Sequence, residues 1–166
     1  MSDKHQGNQL TPLVYNEFEA ILKAIARVSR HAERDALFLK VLNATGANIG
    51  ALSRLTQTQV GPSSVVFLKP NVAEDDIERW ILYSTPEELC AEIQAYCRKN
   101  NITGKQFVFT GSRDAGPIKR WYIWWVVKKA AKVAGVRHFN KVGAFEAISP
   151  VSIRTVAKAT AKRVIV

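Results

Sequence analysis

Phe-Val-Phe-Thr-Gly-Ser-Arg-Asp-Ala-Gly-Pro-Ile-Lys-Arg-Trp-Tyr-Ile-Trp-Trp-Val-Val-Lys-Lys-Ala-Ala-Lys-Val-Ala-Gly, residues 107–135, is the stretch whose reading decides the fold. It begins as a short apolar strand, turns through residues 111–116 and enters a helix at Pro117. Ile118, Tyr122, Trp125, Val126, Ala130 and Val133 recur at helical spacing and predict one buried stripe. Gly135 stands where a helix C-terminus favours a residue tolerant of positive φ. The side away from the stripe carries Lys119, Arg120, Trp124, Lys128 and Lys132. Basic side chains interleaved with an aromatic suit phosphate contacts beside a sugar or base face. A solvated helix with a tryptophan over a groove fits the same pattern equally well.

Upstream, Thr11-Pro12 reads as a helix start, followed by the stripe Val14, Phe18, Ile21, Leu22, Ile25 and Val28. A second helix runs from about Ala32, burying Leu37, Phe38, Val41 and Leu42, and stops at Gly46. A short third helix begins near Asn48 and carries Ile49, Leu52 and Leu55. Val65–Leu68 and Arg79–Tyr83 read as an antiparallel ribbon with an acidic tip. Thr85-Pro86-Glu87-Glu88 predicts a capping box and a helix burying Leu89, Ile93, Tyr96 and Cys97. Downstream of the organising stretch come a loop over 137–148 and a last helix from Ser149-Pro150, holding Arg154, Lys158, Lys162 and Arg163. The expected fold class is mainly α with a small antiparallel β-ribbon. Residues 1–10 are expected to be disordered and 11–166 to form a single domain.

The net charge is +10, unevenly spread. Residues 98–166 hold 15 Lys and Arg against Asp114 and Glu146, a balance of +13, whereas residues 1–97 come to −3. A basic half beside a near-neutral one points to a polyanion surface, with nucleic acid ahead of an anionic membrane. No apolar run is long enough to span a bilayer, and the N-terminus lacks the apolar core of a signal peptide, so a cytoplasmic location is expected. Cys90 and Cys97 lie roughly 10 Å apart along one helix axis, too far for a disulfide, and read as reduced core residues. His5, His31 and His138 are scattered, so no metal or other cofactor is expected. Neither a P-loop nor a dinucleotide fingerprint is present.

In order, these elements resemble the catalytic domain of tyrosine recombinases, the phage-integrase family. Three stretches carry the likeness: Arg34 through Ala44-Thr45-Gly46-Ala47-Asn48-Ile49, the ribbon ending at Lys69 with the Trp80–Leu89 segment after it, and Phe107–Gly135 continued by residues 148–154. The resemblance implies that a tyrosine attacks a DNA phosphodiester and forms a covalent 3′-phosphotyrosine. Two arginines and a histidine-like donor stabilise the non-bridging oxygens, and a ribbon lysine protonates the leaving oxygen.

Lys69 matches the lysine and Arg154 the second arginine. The first arginine's place is held by Asn48, the acidic helper's by Ala51 and the histidine's by Val151. The family's nucleophile is expected a helix or so beyond Arg154, which the sequence to Val166 does not reach, so the enzymatic activity stays open. Arg113, Lys119, Arg120, Trp124, Lys128, Lys132 and Lys158 are the expected DNA-binding residues. The implied partner is double-stranded DNA, with self-association on it left open. The implied role is strand cleavage and rejoining, in recombination and integration or in nicking for plasmid mobilisation. The alternative is a catalytically degenerate DNA-binding protein with a regulatory or assembly role.

Overall fold

The computed structural model describes residues 13–68, 80–111, 116–139, 145–146, 148–154 and 163–165. The organising stretch becomes helix α5 (Arg120–Ala134), which packs along α1 (Tyr15–Val28). The stripe it buries is Ile123, Val126, Val127, Ala130 and Ala131. That is a correction: Trp125 and Val133, expected inside, are 44% and 42% exposed. Small and branched residues let α5 lie close on α1, and the wider indoles are turned outward. The helix also starts later than Pro117, because Pro117 forms a β-bridge with Thr110.

The strand expected at Phe107 does not form. The Val108 N–H donates to Leu55 O, and Phe109 O accepts from Ile118 N–H. Each neighbour forms only an isolated antiparallel bridge, Thr56 with Phe107 and Pro117 with Thr110, so no ladder develops, and Phe109 is instead a buried ring set edge-on against Phe38.

Helix α2 (Ala32–Thr45) is the centre of the molecule, with Leu37, Phe38, Leu39, Val41 and Leu42 all buried. Burying side chains of this size contributes roughly 1.5–3 kcal/mol each. Gly46 ends it at φ 63°, as Gly135 ends α5 at φ 71°, a conformation that costs glycine little. Then come α3 (Ile49–Ser53), a 3₁₀ turn (Gln57–Gln59), β1 (Ser64–Leu68), β2 (Trp80–Ser84) and α4 (Glu87–Lys99). The expected ribbon is present, with β1 antiparallel to β2 in the register Val65 opposite Tyr83. Thr11-Pro12 lies outside the described residues. Within them, α1 begins with Glu17 Oε1 accepting from the Val14 N–H at 3.0 Å. No side chain caps α4, since the Thr85 hydroxyl donates to Tyr83 O instead.

Two further corrections fall in the basic half. The expected loop after α5 contains a hairpin of β3 (His138–Phe139) and β4 (Phe145–Glu146). Buried His138 meets Glu17 at 2.7 Å, tying β3 to the first turn of α1. Arg163, expected on the last helix, lies in β5 (Arg163–Ile165), which pairs antiparallel with β2. The free edge of β2 offers backbone groups that need partners, and Val164 and Ile165 favour an extended chain. Residues 150–154 are helical, as expected after Ser149-Pro150.

Candidate nucleic-acid interface

The turn after α2 is built by its own side chains. The Thr45 hydroxyl donates back to Val41 O at 2.8 Å and accepts from the Ala47 N–H at 3.2 Å. Two residues past Gly46, Asn48 caps α3, its Oδ1 accepting from Gly50 N–H at 2.9 Å and Ala51 N–H at 3.3 Å. With the oxygen spent on the cap, the amide NH2 is the end of Asn48 left to donate. Across 108 residues of chain, Arg154 Nε donates to Gly46 O at 2.8 Å. The bond brings the helix at 150–154 onto the Gly46–Asn48 turn, with Arg154 half-buried and Val151 three positions before it. Ser149 opens that helix, its carbonyl accepting from the Ser152 N–H at 3.0 Å and its own N–H donating to the Ser152 hydroxyl at 3.2 Å. Lys69, Arg113 and Lys158 lie outside the described residues.

The outer face of α5 is a second cationic surface. Lys119 sits at its N-cap, and Lys119, Arg120, Lys128 and Lys132 are exposed. Trp124 is half-buried with Lys128 Nζ 5.8 Å from its ring centroid. Two residues of this face, Trp121 and Lys129, were not singled out in the sequence, and a third, Trp125, was expected on the buried stripe. Trp121 is 70% exposed, and Lys129 Nζ lies 4.7 Å from the centroid of exposed Trp125. The signal was present as an absence: the helix holds no Asp or Glu. Every charge that α5 itself places on this face is therefore positive.

Behind that face lies a buried polar cluster that the sequence did not reveal. Asp35 is fully buried and pairs with Arg34 at 2.8 Å. Its other oxygen accepts from the Ser29 hydroxyl and, at 2.7 Å, from the Tyr122 hydroxyl. Arg34 also donates to Thr110 O at 2.8 Å and lies 5.1 Å from the Tyr122 ring centroid. One carboxylate thus joins α1, α2, α5 and the Thr110 segment. Burial raises the Tyr122 pKa, opposed by its Ser29 hydrogen bond and reinforced by Asp35.

No family model and no curated protein matches the sequence. Among solved structures, the XerA recombinase is similar over 96% of this chain and 52% of its own, with TM-score 0.66 and 18% identity. The XerH site-specific recombinase bound to its difH substrate is similar over 95% and 44%, with TM-score 0.65 and 14% identity. The catalytic domain of bacteriophage HP1 integrase is similar over 91% and 71%, with TM-score 0.53 and 18% identity. The fold is that of the tyrosine recombinase catalytic domain. The chain spans about half the length of the XerH and XerA chains, at 44% and 52%.

Within this recombinase fold the four tyrosines are placed very differently. Tyr83 is buried in β2, its ring edge-on to Phe67. Tyr122 donates its hydroxyl hydrogen bond to Asp35, and burial raises the pKa of half-buried Tyr96 despite the opposing charge of Arg34. Tyr15 is exposed in the first turn of α1. Burial and the Asp35 bond disfavour the phenolate that an attacking tyrosine would have to approach.

Proposed function

We propose that this chain is a cytoplasmic DNA-binding protein of tyrosine recombinase type, forming one domain from residue 11 to 166. It would act in strand cleavage and rejoining, in recombination and integration or in nicking for plasmid mobilisation. The observation that carries this reading is the Arg154–Gly46 bond, which sets a guanidinium beside the turn that Asn48 completes. In this reading Arg154 and Lys69 face the scissile phosphate. Arg154 stabilises charge on the non-bridging oxygens, Asn48 donates through its amide without adding charge, and Lys69 protonates the leaving oxygen. Arg113, Lys119, Arg120, Trp124, Lys128, Lys132 and Lys158 hold the duplex, mostly through its phosphates.

The second reading, a DNA-binding protein that has lost cleavage, is favoured by Val151 in the histidine's place and by Tyr122 being committed to Asp35. Each missing donor to a transition-state oxyanion costs about 10²–10³ in rate. The deciding experiment is a search for an SDS-resistant protein–DNA adduct on nicked and supercoiled DNA. It is run on this chain and on the product of the whole reading frame. An adduct that disappears in Arg154→Ala supports cleavage and rejoining. Salt-sensitive binding with no adduct from either product supports the second reading.

A further inference from the structure

The outer face of α5 combines two features that a duplex footprint does not need together. Its cations, Lys128, Lys129 and Lys132, can hold phosphates of any nucleic acid. Its indoles are a different matter, because Trp121 at 70% and Trp125 at 44% exposure present wide apolar rings to water. Paired bases keep their flat faces inside the stack, so a duplex would use the lysines and leave the indoles unsatisfied. An unpaired strand offers both phosphates and open base faces.

Resting on the reading of the chain as a DNA-binding protein, we infer that this face is a platform for single-stranded nucleic acid. Trp121 and Trp125 stack on unpaired bases while Lys128, Lys129 and Lys132 take the backbone. The two indoles are one helical turn apart, about 6 Å along the axis, and so form a row. Lys129 lies 4.7 Å from the Trp125 centroid and Lys128 5.8 Å from that of Trp124. A cation on one side of an indole is compatible with a base on the other. It opposes immersion in a bilayer, because sinking Trp125 into hydrocarbon would take the Lys129 ammonium with it. With no carboxylate on the helix, every charge on this face favours the polyanion.

The test follows tryptophan emission and the anisotropy of labelled DNA, using an unstructured oligothymidylate and a duplex at one salt concentration. The expected result is quenching by the oligothymidylate. Trp121→Ala and Trp125→Ala should each weaken its binding about five- to a hundredfold, with duplex affinity kept within about twofold. Trp121→Phe should retain part of the single-strand affinity, because a phenyl ring still stacks. Thermal melts of the variants confirm that the exposed sites left the fold intact. Duplex binding with no quenching, and with single-strand affinity indifferent to both alanine variants, overturns the platform and leaves the DNA reading standing. Binding to neither form of DNA overturns both. An emission shift with phosphatidylserine vesicles but not with oligothymidylate would make the face a lipid surface and also overturn the inference.

Discussion

Two arginines in this protein do the same thing in different surroundings. Arg34 and Arg154 each donate to a distant backbone carbonyl at 2.8 Å, Thr110 O for one and Gly46 O for the other. Arg34 is buried, its charge met by an equally buried carboxylate and its guanidinium over an aromatic ring. Arg154 is half-buried at the fifth position of the helix that begins at Pro150, beside a turn whose side chains are occupied in shaping the backbone. A guanidinium that joins two segments is therefore not by itself a sign of a site. Degree of burial separates the two: Arg34 is closed into the core beside Asp35, and Arg154 is only half-buried.

That contrast can be broken, and the sharpest attempt is Asp35→Ala. It strands the Arg34 charge and the Ser29 and Tyr122 hydroxyls, so a loss of about 3–5 kcal/mol is expected in urea unfolding. A loss under about 1 kcal/mol would show that Arg34 is as adaptable as Arg154. Next, Tyr122→Phe removes one hydrogen bond to the carboxylate and should cost about 1.5–3 kcal/mol.

The same variant has a signature in pH. Burial raises the Tyr122 pKa above the ordinary 10.0, so the folded state keeps a proton that the unfolded chain releases. Its stabilisation is complete below pH 10 and is lost as pH rises through the folded-state value. Unfolding curves of Tyr122→Phe should therefore fall less steeply on the alkaline side than those of the parent.

Arg154→Ala should cost about 1.5–3 kcal/mol of stability through the loss of the charged hydrogen bond to Gly46 O, while adduct formation falls by about 10²–10³. Equal losses in folding and in DNA chemistry would erase the distinction between the two arginines. The smallest effect on folding is expected at the α5 surface. Lys128→Ala and Lys132→Ala should leave stability within about 0.5 kcal/mol, yet each should reduce the salt slope of duplex binding by about 0.9. An unchanged slope would remove that face from the duplex footprint.

The parts of the fold legible in the sequence were those governed by local chemistry. Gly46 and Gly135 marked helix ends because their backbone conformation admits few other residues, and β-branched Val65 and Val66 marked the ribbon. Helix α5 was legible as a helix but not in its rotation. Three indoles within five residues supply apolar character in several directions, and periodicity cannot tell Trp125 from Val127 as the inward residue. Asp35 beside Arg34 looks like any pair of charges near a helix start. Its carboxylate is met by Tyr122, 87 residues away. Of the candidate site, Arg154 and Asn48 were singled out only through the family resemblance. The approach of Arg154 to the Gly46–Asn48 turn depends on a contact spanning 108 residues, which no local pattern encodes.

The two cysteines bear on how the molecule can be handled at the bench. Cys90 and Cys97 are both buried and unbridged, and desolvation raises both thiol pKa values. Neutral, shielded thiols react slowly with maleimides. A single cysteine introduced at exposed Val133, on α5 but outside the proposed contacts, would therefore take a dye selectively in the otherwise native chain. Approach of a DNA strand to α5 could then be timed without first removing either natural thiol.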